Sequence, residues 1–383
     1  MTLPVQIDRD RRYVYALVCL GCLTISFNVA AIAAAVPMIS VDLNQPDFLV
    51  AKIIPYYLIP YGFGALIYAP LTRYISYRWV YFFTMLLYSL FCWTCGSAAD
   101  LNTVLFGRIG MGITASSAIP LGLMLIGEFF GREMRGRLVG VFFSCAFIAS
   151  IAGLIVMGTM HWPWVFYVPA FMGIFLAAVV LCYPSKLLVQ KHIGHINYLR
   201  VFGQKDIVKV FAYIFAISFL YHGVHKWYGV YLSRVYNFDK LTISFFIILT
   251  VIGGMGGQLV GGVLTDKKGR FLTCWIGIIG LSLTVLLLFG IYPKIILGAI
   301  LFLISVFWTV GHNGISTVLT DFSHEHRPII ASLNSSIRFI SGGLGFYVSS
   351  FFVEKSFGLT FSSIGLLMIS LACFLKCIVP KNT

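Results

Sequence analysis

Residues 13–36 read YVYALVCLGCLTISFNVAAIAAAV and contain no charged side chain. An apolar run of about 20 residues is long enough to cross the hydrocarbon core of a bilayer as a helix. The run lacks the small-residue cleavage pattern of a secretory signal peptide, so we expect it to be kept as a membrane span. Eleven further apolar runs follow, near 49–71, 79–97, 102–130, 138–160, 163–182, 208–232, 241–265, 271–290, 295–319, 328–352 and 359–379.

The composition also indicates a protein surrounded by lipid. Of 383 residues, 59% are hydrophobic and 10% are charged, whereas a soluble domain carries about 25% charged residues. The runs are longer than the ~10-residue alternating segments of a membrane β-barrel, so helices are favoured. We therefore predict an all-α integral membrane protein of twelve transmembrane helices. Two pseudo-symmetric six-helix bundles are predicted at residues 1–182 and 208–383, with a cytoplasmic linker at 183–207.

The distribution of lysine and arginine predicts the orientation of these helices. Most of the lysine and arginine residues fall in segments on the same side of the membrane as the two termini. The five predicted on the other side are Lys52, Arg234, Lys240, Lys294 and Lys355. The positive-inside rule then predicts that both termini are cytoplasmic, and we expect a multi-pass protein of a bacterial-type inner membrane. The net charge of +14 is scattered through short loops, so we interpret it as a topology signal and expect no nucleic-acid partner.

Two loop sequences suggest that the chain is internally duplicated. Residues 261–270 read GGVLTDKKGR in the predicted cytoplasmic turn after the eighth helix, and residues 69–78 read APLTRYISYR in the turn after the second. Their alignment places Arg73 opposite Asp266. The two loops therefore mark the same place in each half, as in secondary transporters that are built from repeats.

The second loop resembles the signature of the major facilitator superfamily: a Gly, an Asp and then a basic-Gly-Arg run. Arg108 and Gly112 match that family's Arg-x-x-x-Gly pattern in helix four, with Met111 where Gln is common. Residues 28–37, NVAAIAAAVP, resemble the segment that opens many drug–proton antiporters. This resemblance covers the whole chain. It implies a secondary transporter that works by alternating access, in which Arg108 takes part in proton coupling or in conformational packing.

Several positions depart from the family pattern. Arg73 stands where the first-half loop usually carries Asp, and Ser76 where it carries Gly; Asn28 replaces the Asp of many proton-coupled exporters. Residues 150–158, SIAGLIVMG, lack the Gly-Pro signature of antiporters. Each departure weakens an assignment to proton-driven drug efflux.

The ionisable residues predicted inside the membrane are all basic. Every Asp and Glu falls in a loop or at a helix end, whereas the deep set is Arg108, His222, His225, Lys226, His312 and Arg338. Ionisable groups at membrane depth are costly and usually face a functional cavity. We therefore predict an electropositive cavity for an anionic or zwitterionic metabolite. The predicted substrate-binding residues are Asn28, Lys226, His312, Asn313 and Arg338.

Alternative roles stay open for these residues. Arg338 can bond backbone carbonyls as a structural group, and Lys226 can extend to the membrane interface. The coupling candidates are Arg108, His222 and His225, with His312 also able to exchange a proton near neutral pH. Helical histidines also serve as packing residues, and a facilitator without proton coupling fits the sequence equally.

The family resemblance further implies a latch at the cytoplasmic side. The loop Asp266 would cap a neighbouring helix N-terminus, which favours an anion, and pair with Arg135 and Arg137. In the first-half loop the charges would be exchanged, so that the basic Arg73 pairs with the acidic Asp321 or Glu325. Solvated loop charges without a latch are the alternative.

The leading hypothesis is a secondary transporter of a small organic solute, present as a monomer in the lipid bilayer. Efflux of drugs or amphipathic compounds is the alternative, and a membrane receptor or enzyme is a remote one. The CxxC pairs at Cys19/Cys22 and Cys92/Cys95 lie within apolar helices and are interpreted as packing residues. We therefore expect no metal, no cofactor and no catalytic residue.

Overall fold

The structure is a computed structural model that describes residues 3–183, 185–189, 198, 203–321 and 327–379. Side chains are described throughout these ranges except at 3–8, 69, 132, 133, 136, 320, 321, 327, 328 and 331. Most of the predicted linker at 183–207, the side chain of Asp321 and all of Glu325 therefore lie outside the described residues.

The described residues form helices and contain no β-strand. The helices are α1 (Leu3–Asp42), α2 (Asp47–Val50), a 3₁₀ turn (Ala51–Ile53), α3 (Pro55–Leu71), α4 (Tyr77–Gly96), α5 (Leu101–Ala115), α6 (Ala118–Phe129), α7 (Arg132–Thr159), α8 (Trp164–Cys182), α9 (Lys205–His225), α10 (Tyr228–Tyr236), α11 (Lys240–Lys268), α12 (Arg270–Leu287), α13 (Lys294–Asp321), α14 (Arg327–Val353) and α15 (Phe357–Ile378).

Twelve segments of the described chain are long and apolar enough to cross a membrane, which confirms the predicted fold class. Three of them are interrupted: span two consists of α2, the 3₁₀ turn and α3, span four of α5 and α6, and span seven of α9 and α10. Below, "terminal face" means the side where α1 begins and α15 ends, and "opposite face" means the side where α1 ends and α15 begins.

The interruptions have local causes in spans two and four. Pro55 occupies the first turn of α3, where its missing N–H costs nothing. At the α5–α6 junction, Ser116 and Ser117 donate from their hydroxyls to the carbonyls of Ile113 and Thr114 at 2.7 and 2.8 Å. Such bonds compete with the helical ladder and favour a turn. At the interruption of span seven, Lys226 and Trp227 are not turn formers, and Gly223 precedes Lys226 by three residues.

Helices from the two ends of the chain pack directly on one another. The first six spans meet the last six through α3 against α14, α7 against α11, and α1 against α10. In the last pair, a Cβ at Gly229 would overlap the carbonyl oxygen of Ala33. Only glycine permits that approach, because it has no side chain.

The exposed surface around the spans is largely apolar. Large side chains such as Phe83, Phe175 and Phe374 are more than half exposed, as expected where helices face lipid. Asp100 caps α5 in the loop before span four. The hydroxyl of Thr103 donates to it at 2.7 Å, and this hydrogen bond lowers the pKa of the exposed carboxyl.

Candidate functional site

Three cations are buried within the spans. Arg108 is 1% exposed, Lys226 8% and Arg338 9%, and no Asp or Glu is buried among the described residues. A charge at membrane depth is retained only where something compensates its lost hydration. The contacts of each cation therefore show which polar groups already compensate its charge and which of its N–H groups lack a hydrogen-bond partner.

Arg108 is held within the first six spans. Its Nε donates to the carbonyl oxygen of Ile53 at 2.9 Å, and its guanidinium lies 4.2 Å from the ring centroid of Tyr57. Ile53 ends the 3₁₀ turn of span two. Arg108 thus binds a carbonyl that the helix interruption leaves available, and it joins span four to span two.

Asn28 is connected to Arg108 through Tyr88. Its Nδ2 donates to the hydroxyl of Tyr88 at 3.3 Å, and Tyr88 interacts electrostatically with Arg108. The Oδ1 of Asn28 and the hydroxyl of Tyr57 are buried without a hydrogen-bond partner among the described residues. Both are available to a bound polar group.

Lys226 ends α9 at the interruption of span seven. Its ammonium interacts electrostatically with Arg108, across the boundary between the first six spans and the last six. The described residues supply no ion pair to it. The next residue, Trp227, is fully buried; its Nε1 donates to the Ser349 hydroxyl at 2.8 Å and its ring stacks on Phe346 at 4.3 Å.

Arg338 lies on α14 among residues of the last six spans. Its Nε donates to Asn334 Oδ1 at 2.8 Å and its Nη2 to the Ser316 hydroxyl at 3.4 Å. Its Nη1 is buried without a partner among the described residues. Arg338 and His312 line a cavity of about 10 Å³, which is room for about one water molecule.

The histidines of α9 extend the cluster around Lys226. His222 interacts electrostatically with both cations, and its Nδ1 lies 2.8 Å from the carbonyl oxygen of Ser218. His225 stacks on Tyr221 with ring centroids 5.0 Å apart. The structure thus brings the predicted residues Arg108, Lys226, His222, His225, His312 and Arg338 into one continuous basic cluster.

Asn313 is not part of that cluster. Its Nδ2 donates to the carbonyl of Gln258 at 3.4 Å, and its Oδ1 accepts from the Thr265 hydroxyl at 3.4 Å. Both partners lie on α11. The carboxamide therefore ties α13 to α11, although its neighbour His312 joins the basic cluster.

The described side chains predicted for the cytoplasmic latch make no contact with one another that would form an ion pair. Arg135 donates from Nε to the carbonyl of Phe130 at 2.8 Å, while Asp266 and Arg137 are exposed and Arg73 is half-buried. The described side chains include no ion pair between these residues. Asp321 ends α13, but its side chain lies outside the described residues.

Sequence reasoning missed two contacts that join the halves of the chain. Tyr61 on α3 stacks on Phe339 on α14 with ring centroids 3.8 Å apart. At the opposite face, Arg234 donates from Nε to Asp47 Oδ2 at 2.7 Å and lies 4.5 Å from the ring centroid of Phe48. Asp47 and Arg234 carry opposite charges next to span ends, and this is the one sequence feature from which their contact could have been predicted.

Comparison with known proteins shows the family of this chain. A model of the Major Facilitator Superfamily matches residues 18–346. Multidrug resistance protein 3 of Bacillus subtilis (strain 168) is 21% identical over 335 residues, covering 72% of this chain and 65% of that protein. An Escherichia coli (strain K12) protein named Probable L-galactonate transporter is 24% identical over 241 residues, covering 57% of this chain and 53% of that protein. The chain therefore spans between half and two thirds of the length of these relatives.

Two solved structures share the fold. A bacterial homologue of the human lysosomal transporter Spinster, in its inward-facing and unoccupied conformation, matches with a TM-score of 0.71 at 13% identity, covering 96% of this chain and 95% of that one. A mutant of the nucleoside transporter NupG matches with a TM-score of 0.74 at 12% identity, covering 95% and 99%. The family match and the transporter relatives confirm the prediction of a transporter rather than an enzyme. The chain belongs to the Major Facilitator Superfamily.

Proposed function

We propose that this protein is a secondary transporter that carries a small organic anion or zwitterion across a bacterial inner membrane by alternating access. The observation that supports this most strongly is the buried cluster of Arg108, Lys226 and Arg338, which no buried Asp or Glu of the described residues neutralises. A substrate with a negative charge would supply the missing compensation. The relative named for L-galactonate, a carboxylate, supports the same substrate class.

The two cations of the last six spans are best suited to contact the substrate. The Nη1 of Arg338 has no partner among the described residues, and a guanidinium binds a carboxylate or phosphate through paired hydrogen bonds. Lys226 has an ammonium without an ion pair in the described part of the chain, and it would act as a point charge. Arg108 is already bonded to Ile53, so we assign it to positioning span two and to the positive potential.

Polar and aromatic neighbours would complete the substrate site. Asn28 offers its unpartnered Oδ1 to a hydroxyl or amino group of the substrate. His312 lies beside Arg338, and Trp308, stacked on Tyr221 with ring centroids 3.9 Å apart, provides an apolar wall. Because Asn313 bonds to α11, we propose for it a packing role rather than substrate contact.

The contacts between the halves support a conformation closed at the opposite face. Arg234 bonds to Asp47 there, and Lys240 Nζ donates to the carbonyl of Met160 at 2.9 Å. Substrate would then reach the basic cluster from the terminal face, which we propose is cytoplasmic. Asp266, Arg135 and Arg137 would come together when that face closes, and Arg73 would pair with Asp321.

We also propose that transport is coupled to a proton and that the protein works as a monomer. His222 and His312 interact electrostatically with Arg338, so a bound anion would favour protonation of either ring by offsetting the repulsion between the like charges. We propose that a proton accompanies the anion through these rings. The two bundles at residues 1–182 and 208–383 would move about the cluster within a monomer.

Efflux of amphipathic compounds is the second candidate function. Multidrug resistance protein 3 is a relative across most of the chain, which favours it. A cationic drug would have to enter a cluster of like charge, at a cost that repulsion at short range makes large. Neutral or anionic drugs are the versions of this alternative that fit the basic cluster.

Anion counterflow in proteoliposomes tests the proposed function. A panel of radiolabelled sugar acids, dicarboxylates, neutral sugars and organic cations is offered to wild type, Arg338→Gln, Arg338→Lys and the exposed control Lys209→Gln. We expect an acid to be exchanged by wild type and by the control. Loss of hydrogen bonds to a charged group lowers affinity about tenfold or more, so Arg338→Gln should lose exchange and Arg338→Lys should keep part of it. Exchange of a cation alone would refute the proposal.

A further inference from the structure

A groove of about 380 Å³ opens toward the membrane between α9, α14 and α15. It lies in the half of the molecule next to the opposite face, because Lys355 and Ser356 in the α14–α15 turn line one end of it. The volume is within the range of about 300–1,000 Å³ that is typical of ligand sites. The groove is separate from the basic cluster that we propose binds the transported solute.

A close helix contact and short side chains shape this groove. A Cβ at Gly345 on α14 would overlap the carbonyl oxygen of Phe219 on α9, so these two helices are in backbone contact. At Gly223, a Cβ would lie 3.3 Å from the carbonyl oxygen of Gly345. The groove lies beside this close contact of α9 and α14, where the lining side chains of Ser349 and Ser363 are short.

The groove is apolar along its length and basic at its mouth. Phe219, Val348, Phe352 and Leu359 form walls, and Lys355 is the charged residue among those that line it. The ammonium of Lys355 has no ion pair with any described side chain. An amphipathic molecule with one apolar chain and one anionic group matches this order of surfaces.

A second groove repeats the arrangement. It has a volume of about 460 Å³ between α11 and α13, with Phe245, Leu249 and Phe302 among its walls and Lys294 at the end near the opposite face. Lys294 lies 5.1 Å from the ring centroid of Phe238. Two of the few basic residues at that face therefore mark the mouths of apolar, membrane-facing grooves.

We propose that the groove between α9, α14 and α15 binds an anionic phospholipid from the leaflet at the opposite face. One acyl chain lies along Phe219, Val348 and Leu359, and the phosphate pairs with Lys355. A phosphate beside a basic residue at the membrane surface is favourable, and burial of the acyl chain removes the cavity. Because Ser349 in the groove also accepts the hydrogen bond of Trp227, the lipid supports the packing of α14 at the interruption of span seven.

Native mass spectrometry of the detergent-purified full chain tests the site. The protein is titrated with phosphatidylglycerol or with phosphatidylcholine of identical acyl chains. We expect wild type to bind phosphatidylglycerol more tightly, and Lys355→Ala to weaken one phosphatidylglycerol adduct about fivefold with little change for phosphatidylcholine. Lys376→Ala, at the other end of α15, is the charge control and should leave binding unchanged.

A groove-filling variant tests the acyl-chain contact separately. Ser363→Trp places an indole in the groove and should weaken the binding of both lipids, while Ser370→Trp, also exposed on α15 but outside the groove, should not. Equal phosphatidylglycerol binding by wild type and Lys355→Ala would overturn the proposal, as would equal effects of the two Trp variants. If Ser363→Trp blocks an amphipathic solute but neither lipid, the groove belongs to that solute. If Ser363→Trp does not fold, Ser363→Leu takes its place.

Discussion

Arg234 at the end of span seven donates a 2.7 Å hydrogen bond from Nε to Oδ2 of Asp47 at the start of span two. The side chain of Asp47 is 16% exposed and that of Arg234 45% exposed. The guanidinium also covers the ring of Phe48, which lies 5.7 Å from the ring of Trp227, the neighbour of Lys226. A polar contact on the surface is thus connected to the interrupted span through two aromatic rings.

Breaking this ion pair should favour opening of the opposite face. Partly exposed pairs contribute about 0–1 kcal/mol, so Asp47→Asn should raise the labelling rate of a cysteine introduced by Leu232→Cys, which is buried on α10, by up to about fivefold. Arg234→Lys retains the charge and serves as the matched control. Unchanged labelling in Asp47→Asn would show that other contacts hold this face closed.

Removing Arg108 should destabilise the first six spans. Arg108→Ala leaves the Ile53 carbonyl without its donor at the interruption of span two, and an unsatisfied buried polar group costs about 1–3 kcal/mol. The melting temperature in detergent should fall, whereas the exposed variant Lys209→Ala should melt like wild type. A wild-type melting temperature for Arg108→Ala would mean that water replaces the guanidinium.

Asn28→Asp should make anion binding depend on pH. The new carboxylate would lie near Tyr88 and Arg108, and its deprotonation at higher pH would cancel part of the positive potential. The Kd for a bound anion should therefore rise as pH increases, and fall again as the group is protonated. A titration by thermal shift at several pH values measures this, and Asn28→Leu, which cannot titrate, is the control. Parallel pH profiles for the two variants would contradict the electropositive site.

Gly229→Ala should prevent closure of the opposite face. The added methyl group would overlap the Ala33 carbonyl where α10 meets α1, so transport should be lost while helical content is kept. Gly127→Ala is the control, because a Cβ there meets nothing within 4 Å and alanine stabilises a helix by about 0.5–1 kcal/mol relative to glycine. Counterflow and circular dichroism of both variants make the comparison, and full transport by Gly229→Ala would show that closure of the opposite face does not need this close approach of α10 to α1.

The sequence predicted the features that depend on hydropathy. It did not predict the features that depend on contacts between residues distant in the chain. Apolar runs gave the number of spans, and the lack of buried acids pointed to Arg108, Lys226 and Arg338. The interruption at Lys226 and Trp227 was not predicted, since neither residue is a turn former; Trp227 there bonds to Ser349 and stacks on Phe346.

Helix phase also limited the prediction of side-chain direction. His312 and Asn313 are neighbours in sequence, but successive residues of a helix point about 100° apart. One consequently joins the basic cluster and the other bonds to α11. Hydropathy does not distinguish two adjacent polar residues, so both were predicted to bind substrate.

The interruption of span seven also has an electrical consequence. A helix carries about half a negative elementary charge at its C-terminal end, and α9 ends at Lys226 inside the protein rather than in water. The C-terminal dipole of α9 therefore favours a cation at this position, where the described residues supply no carboxylate. That dipole stabilises the cation without neutralising it, so the field that attracts an anion persists when the site is empty.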